Sequence, residues 1–382
     1  MSAIIVSPHY LSTEAGNKIL ESGGNAIDAA IAVNAVQGVV APETCGIGGD
    51  LFALIWINGK EKPYCLDSSG YAGSNVLDAD LSDLDSIPLN HAATVTVPGA
   101  VRGWETMHER FGSLEFDLLL KDAINLCQEG FPVSKELSQA ITRNKTSLEK
   151  QASSNHFYPS GKPLEEGEVL RRPKLADTLS YIGKEGSSYY YNGELAQAIV
   201  DTTNNLLELD DLRSYKPTWT EPLGLDIYGK KGWTTPPHTQ GYLTLATLKA
   251  YELSTKYESE IQNHILIECY RALAADRDNI TYDYQKEINK FYGIDLDYIK
   301  EKSLEIDESS TSTFLTPKKS AGGTAYMAIK DSTGNAVSLI QSNFHGIGST
   351  IGVDGYGFFL HNRGAGFNLI DGHPNKIFPL RK

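Results

Sequence analysis

Apolar and polar positions follow two rhythms along this chain, and the rhythm assigns most of its elements. Residues 12–22 place apolar side chains at Ala15, Ile19 and Leu20 and run into Gly23-Gly24. That spacing predicts a helix ended by glycine. Asn25 stands in a capping position. Residues 26–40 are dense in Ala, Ile and Val on nearly every face, which predicts a helix buried all round. Cys45-Gly46-Ile47-Gly48-Gly49-Asp50 then feeds the continuous apolar stretch 51–57. An unbroken apolar run reads as a strand covered on both faces. Asn58-Gly59 signals a hairpin, with 63–66 as the return strand. A short strand at 95–97 ends in Pro98-Gly99.

From 101 to about 213 the pattern is helical, most clearly over 118–129, 135–150 and 174–182. Strand structure follows at 223–233 with a turn at Gly229. The loop 236–241 and helices over 242–252 and 261–275 come next. The stretch 301–321 is rich in Ser, Thr, Lys and Pro and ends in Gly322-Gly323, which reads as an exposed, mobile linker. Beyond it lie strands at 324–330 and 336–342, turned by Thr333-Gly334-Asn335, and a shorter one at 358–360. No fixed-period repeat is present.

Composition narrows the functional classes. The 382 residues suit two or three folding units or one intertwined α/β unit. A hydrophobic share of 41% and a charged share of 21% are those of a globular chain. Lys and Arg total 34 against 48 Asp and Glu, a net charge of -14. Such a surface repels phosphate backbones and anionic lipid, so neither nucleic acid nor membrane is an expected partner. Cys45, Cys65, Cys127 and Cys269 are scattered without metal-ligand spacing. Neither a metal nor a cofactor is expected. Reduced cysteines, no basic leader and no apolar stretch of ~18 residues suggest a cytoplasmic chain. HExxH, GxxxxGK[ST] and GxSxG are all missing. The glycines at 46–49 and 346–349 do not open helices, so pyrophosphate binding lacks its mechanism.

One residue invites a specific chemistry. Thr324 follows the linker and two glycines and begins a strand. As an ordinary residue it would enter a hairpin. If the peptide after Gly323 is cut, Thr324 gains an α-amine with a pKa of about 8, able to serve as base for its own hydroxyl. No histidine is then required.

The sequence resembles the γ-glutamyltransferase family. The resemblance rests on Glu21-Ser22-Gly23-Gly24-Asn25-Ala26-Ile27-Asp28-Ala29-Ala30, on Cys45-Gly46-Ile47-Gly48-Gly49-Asp50 and on Val97-Pro98-Gly99-Ala100. The 209–215 segment, the Pro-Pro loop at 236–241, Ala275-Asp276-Arg277, Gly323-Thr324, 331–337 and 360–367 complete the set in the family's order. It implies an α/β (α+β) fold of the N-terminal nucleophile hydrolase type, a four-layer αββα sandwich. It also implies a precursor that cuts itself between Gly323 and Thr324. Region 1–323 becomes the large subunit and 324–382 starts the small one, together forming one intertwined domain. The two pieces stay associated. Thr324 then attacks a γ-glutamyl or related acyl amide, and the acyl group passes to water or an amino acid. Ser342 falls at the place of the second hydroxyl residue that supports the nucleophile.

Departures from the family pattern matter as much. The stretch 67–80 holds no Arg or Lys where the family carries its carboxylate-binding arginine. Gly366 stands where an amine-binding aspartate belongs, and Phe344 where an asparagine does, with Asn343 beside it. Asn343, Asn362 and Arg363 are the remaining candidate substrate-binding residues, Arg363 for a carboxylate held in a different pose. The pattern resembles the acylase-like branch. About 59 residues from Thr324 to Lys382 make a short small subunit, so the sandwich is expected to be incomplete at the C-terminus. The alternative function is a non-catalytic or truncated member lacking the oxyanion-hole segment. Asp276-Arg277 reads as an ion pair on a long helix, His238 as a solvent-facing loop residue, and Cys45 as a buried hydrophobe.

Overall fold

A computed structural model of the chain describes residues 2–254, 262–307, 309–313 and 323–382. Helix α1 (Tyr10–Glu21) ends before Gly23, which adopts φ +90°. Asn25 caps helix α2 (Ala26–Val40): its side chain accepts from Ile27 N and Asp28 N, and the Asp28 carboxylate accepts the Asn25 N–H. This reciprocal box satisfies amides that a helix start otherwise leaves bare. Every residue of α2 but Gly38 is buried, as its all-round apolar pattern requires.

A six-stranded antiparallel sheet lies against α2. Its order is Ile4–Val6, Gly323–Lys330, Ala336–Phe344, Asp50–Trp56, Tyr64–Ser68 and Thr218–Thr220. First and last parts of the chain thus pair side by side. Helix α2 covers Gly323–Lys330 and Ala336–Phe344, helix α3 (Ala100–Phe111) covers the next two strands, and helix α4 (Phe116–Glu129) lies on α2. Leu51, Ala53, Ile55, Ala325, Met327, Val337 and Leu339 all face this helical layer and are buried. The alternate residues Ile4, Val6, Tyr326 and Ile340 are exposed on the other face. A second apolar cluster joins the hairpin Leu223–Ile227/Lys230–Thr234 to helices Gly241–Ser254, Asn263–Ala274 and Leu296–Leu304.

A buried polar chain ties the layers together. Trp104 Nε1 donates to Asn34 Oδ1 at 2.6 Å, Asn34 Nδ2 donates to Gln341 Oε1 at 2.8 Å, and Gln341 Nε2 donates to the Gly46 carbonyl at 2.6 Å. The chain links α3, α2, the Ala336–Phe344 strand and the glycine turn. Because each amide is spent, a one-residue slip of that strand would orphan buried donors as well as invert its faces. At the hairpin's other end, Asp331 accepts from Ala26 N at the start of α2 and from Thr333 N and Asn335 N within its own turn.

Several expectations shift. The 51–57 strand is fully covered on one face only: Phe52, Leu54 and Trp56 are part-exposed. The strand expected at 95–97 is a single bridge between Thr96 and Ala72. The helix 135–150 splits into Lys135–Arg143 and Lys145–Leu148 at Asn144, whose amide donates back to the Ala140 carbonyl. The linker expected from 301 begins as the end of helix Leu296–Leu304. Residues 308 and 314–322 of that linker lie outside the described residues, as does 261 of the predicted 261–275 helix.

Replacing Asn34 with Leu keeps the branching at Cγ but strands the Trp104 N–H and the Gln341 side-chain carbonyl. The expected cost is about 2–4 kcal/mol, read as a lower midpoint in urea unfolding with unchanged slope.

Candidate functional site

The register of the Ala336–Phe344 strand sets Ser342 directly opposite Thr324 on one side and Asp50 on the other. All three side chains point to the open face of the sheet, at one end of it. Thr324 is exposed while Ser342 and Asp50 are each 1% exposed. Thr324 Oγ1 lies 3.0 Å from Ser342 Oγ. Ser342 Oγ also donates to the Gly323 carbonyl at 3.1 Å and accepts from Phe344 N at 2.8 Å. A hydroxyl has one proton. Since the carbonyl can only accept, that proton goes to Gly323, and the Thr324 hydroxyl therefore donates to Ser342. One side chain polarises the Gly323 carbonyl and takes the hydrogen bond of the hydroxyl beside it. The bulge after Ser342, with Phe344 at φ +74°, turns the Phe344 amide back for this contact.

Asp50 forms a two-point ion pair with Arg363: Nε to Oδ2 at 2.6 Å and Nη2 to Oδ1 at 3.2 Å. His361, fully buried, lies behind it with Nδ1 3.8 Å from Asp50 Oδ2. The other imidazole nitrogen faces the Thr96 carbonyl at 2.9 Å. Burial alone would push the Asp50 carboxyl up, but Arg363 and His361 reverse this and hold it well below the usual carboxylate range. The Arg363 guanidinium also lies over the Phe344 ring, 4.6 Å from its centre. Asn343 and Asn362 are turned inward. Asn343 Nδ2 donates to the Pro42 carbonyl, while its Oδ1 has no partner. Asn362 accepts from His345 N and donates to the Leu89 and Gly348 carbonyls.

The glycines before Asp50 serve close backbone approach. A Cβ on Gly48 would sit 2.1 Å from the Phe359 carbonyl oxygen, and one on Gly49 2.5 Å from that of Ser342. Gly49 O in turn accepts from Gly99 N and Ala100 N. His238 differs from expectation. It is half-buried, its Nε2 is 2.9 Å from Ser69 Oγ, and its ring meets Phe52. Ser69 Oγ donates to Asp67 Oδ1 at 2.6 Å, and Lys382 Nζ to Asp67 Oδ2 at 2.9 Å. The loop is thus folded onto the sheet rather than held in solvent. Asp276 and Arg277 are both in ion pairs, as expected, Asp276 with Lys302 and Arg277 with Asp278, but they sit at the short helix Arg277–Ile280 rather than on a long one. Cys45 is buried, which pushes its thiol up to about 12 and leaves it un-ionised at neutral pH.

On the Gly323 side a cavity of about 940 Å³ is lined by Gly323, Glu43, Thr44, His345, Gly346 and others. Glu43 Oε2 is buried there without a partner, and burial pushes its carboxyl up to about 7. Among the described residues no cluster of His, Cys, Asp and Glu could hold a metal, and no helix is long and apolar enough to cross a membrane.

The sequence profile described as Gamma-glutamyltranspeptidase matches residues 12–382. The chain belongs to this family. The glutathione hydrolase-like YwrD proenzyme of Bacillus subtilis (strain 168) is 34% identical over 392 residues, covering 99% of this chain and 74% of the relative. The oxamate amidohydrolase proenzyme of Klebsiella pneumoniae is 30% identical over 387 residues, covering 98% and 73%. Among solved structures, a cephalosporin acylase from Bacillus halodurans superposes with a TM-score of 0.87 at 31% identity, over 100% of this chain and 73% of that one. The gamma-glutamyltranspeptidase family is one of N-terminal nucleophile hydrolases, so the mixed α/β sandwich is the fold expected from the motifs. The likeness to the acylase agrees with the acylase-like branch. Asp50 and His361 were not singled out from the sequence. The Asp that ends the glycine turn was the available signal for the first, and a histidine within a buried apolar run, Phe358-Phe359-Leu360-His361, for the second.

The Glu43 carboxyl titrates near 4.5 when unfolded and near 7 when folded. Ionising it therefore penalises folding from about pH 4.5 upward, with the full penalty above 7. Glu43→Gln should raise the melting temperature at pH 8 and leave it unchanged at pH 4, as thermal unfolding across that range would show.

Proposed function

We propose that this chain is a self-processing amidohydrolase and acyltransferase of the gamma-glutamyltranspeptidase family with Thr324 as nucleophile. Its donors are γ-glutamyl-like or other acyl amides, and its acceptors are water or an amino acid. The observation that carries the reading is the Thr324–Ser342–Gly323 arrangement, in which hydroxyl, acceptor and polarised carbonyl adjoin. The names of the relatives, hydrolase, amidohydrolase and acylase, support amide chemistry.

In the precursor, Thr324 Oγ1 bonds to the Gly323 carbonyl carbon as its proton passes toward Ser342 Oγ. The Gly323–Thr324 C–N bond breaks and the nitrogen takes up the proton, leaving an ester between Gly323 and Thr324. That step frees the α-amine, and water then splits the ester, releasing the Gly323 carboxylate and returning the proton to Thr324 Oγ1. The amine then serves as base for the same hydroxyl. A donor amide acylates Thr324 and its amine leaves with a proton. Water or an incoming amine next accepts the acyl group. The Gly323–Lys330 strand is hydrogen-bonded on both sides, so a cut at its first peptide would leave the ladder intact and the two pieces associated. Asn343 and Asn362 act as positioning residues that hold the backbone around Ser342, and Arg363 faces the donor.

Denaturing gel analysis with N-terminal sequencing tests this directly. The wild type should yield a fragment beginning at Thr324. Thr324→Ala should remain one chain and lose hydrolysis of γ-glutamyl-p-nitroanilide by at least about 10³-fold, and Ser342→Ala should slow cutting by about 10²-fold. A protein that never cuts before Thr324, or a Thr324→Ala variant that keeps its activity, would instead favour a non-catalytic member or another nucleophile.

A further inference from the structure

Gly323 is packed closely against one neighbour. A Cβ on Gly323 would lie 2.6 Å from the Glu43 carbonyl oxygen, so the Glu43 backbone passes directly against it. Only glycine suits so close an approach. Asn343 holds the 42–44 segment in place at both ends. Its Nδ2 donates to the Pro42 carbonyl at 3.0 Å and its backbone N–H to the Thr44 carbonyl at 3.1 Å. Glu43 is thereby fixed to the strand end that presents Ser342 to Thr324.

Glu43 and Gly323 also line the same cavity of about 940 Å³. Glu43 Oε2 is buried and has no partner among the described residues. A buried polar oxygen left in this way calls for a reason beyond packing. Burial pushes the carboxyl up to about 7; Glu136 pushes the same way and Arg172 opposes it. The other titratable groups on the cavity wall are differently employed. His9 Nδ1 accepts from Leu11 N as the cap of α1. Glu136 is exposed on helix Lys135–Arg143, and Arg143 Nε donates to the Gln139 carbonyl. The His345 ring stands edge-on to Phe344. A cavity of this size with polar walls admits water. A carboxyl that changes charge near neutral pH, beside such a space, is matched to taking up a proton.

We propose that Glu43 is the base for the second half of self-cutting, taking a proton from the water that splits the Gly323–Thr324 ester. This rests on the Thr324 reading and adds to it the group that activates the water. The water oxygen bonds to the Gly323 carbonyl carbon while one of its protons passes to the Glu43 carboxylate. The carbonyl oxygen, which accepts from Ser342 Oγ, carries the charge that develops. The bond from that carbon to Thr324 Oγ1 then breaks. Oγ1 takes up the proton that Glu43 returns through cavity water, and Gly323 leaves as a carboxylic acid that ionises to solvent.

Self-cutting of the newly translated chain, followed by denaturing gel and intact mass between pH 5 and pH 9, tests this. The step needs the ionised carboxylate, so wild-type cutting should speed up as the pH rises through about 7 and level off above it. Glu43→Gln should cut about 10²-fold more slowly and show no step near pH 7. Hydroxylamine attacks an ester without needing a base from the protein. It should therefore rescue the variant, releasing the fragment that begins at Thr324 and leaving Gly323 as a hydroxamate. Glu43→Asp keeps a carboxylate on a shorter arm and should restore part of the rate. A Glu43→Gln variant that melts no lower than the wild type at pH 8 separates the slow step from misfolding. Cutting by that variant within twofold of the wild type at pH 8, or slow cutting that hydroxylamine does not rescue, would overturn the proposal and leave Thr324 as nucleophile. No cutting and no hydroxylamine release from wild type or variant would overturn the Thr324 reading, and this inference with it.

Discussion

The Ala336–Phe344 strand lies between two antiparallel neighbours, and its register determines which side chains meet. Gln341 holds that register from the buried side through Asn34 and the Gly46 carbonyl. One residue on, the pleat turns Ser342 to the opposite face, between Thr324 and Asp50. A buried amide network and the Thr324–Ser342 hydroxyl pair are therefore two faces of one constraint. Helix α2 supplies the rigid floor. Its small and β-branched residues allow it to lie on the sheet, and its capped N-terminus is tied to the hairpin turn through Asp331.

The glycine turn before Asp50 completes the frame. Side chains at Gly48 and Gly49 would collide with the Phe359 and Ser342 carbonyls, so the Asp50–Trp56 strand and the 360–363 segment meet only because those positions are bare. Their meeting brings Asp50, His361 and Arg363 together. A buried carboxylate is costly unless paired and hydrogen-bonded. Here the pairing partner is an arginine at the rim, so the expense of burying Asp50 is tied to fixing a cation next to the row that holds Thr324.

Much of this was legible in the residues. The stop of α1, the cap of α2 and the hairpin around Gly334 follow from period and turn chemistry, while the place of Ser342 as support for Thr324 was implied only by the family resemblance. Other features depend on contacts between distant segments, which periodicity does not report. Asn34 reads as an interruption of an apolar run, yet it is a junction of the core. Asp50 reads as the end of a turn, yet its partner is 313 residues away. His238 reads as a loop residue, but Ser69 and Phe52 draw it onto the sheet. Strand 51–57 looks covered on both faces because Phe52, Leu54 and Trp56 are apolar, and composition alone does not tell which face has a partner.

The most direct measurement is peptide mapping by mass spectrometry after brief exposure of the protein to an activated acyl ester. The account predicts a single acyl adduct on the peptide that begins with Thr324, formed only where that residue carries a free α-amine. An adduct on Ser69, Ser342 or a cysteine in place of Thr324, or acylation of Thr324 while it is still joined to Gly323, would contradict it.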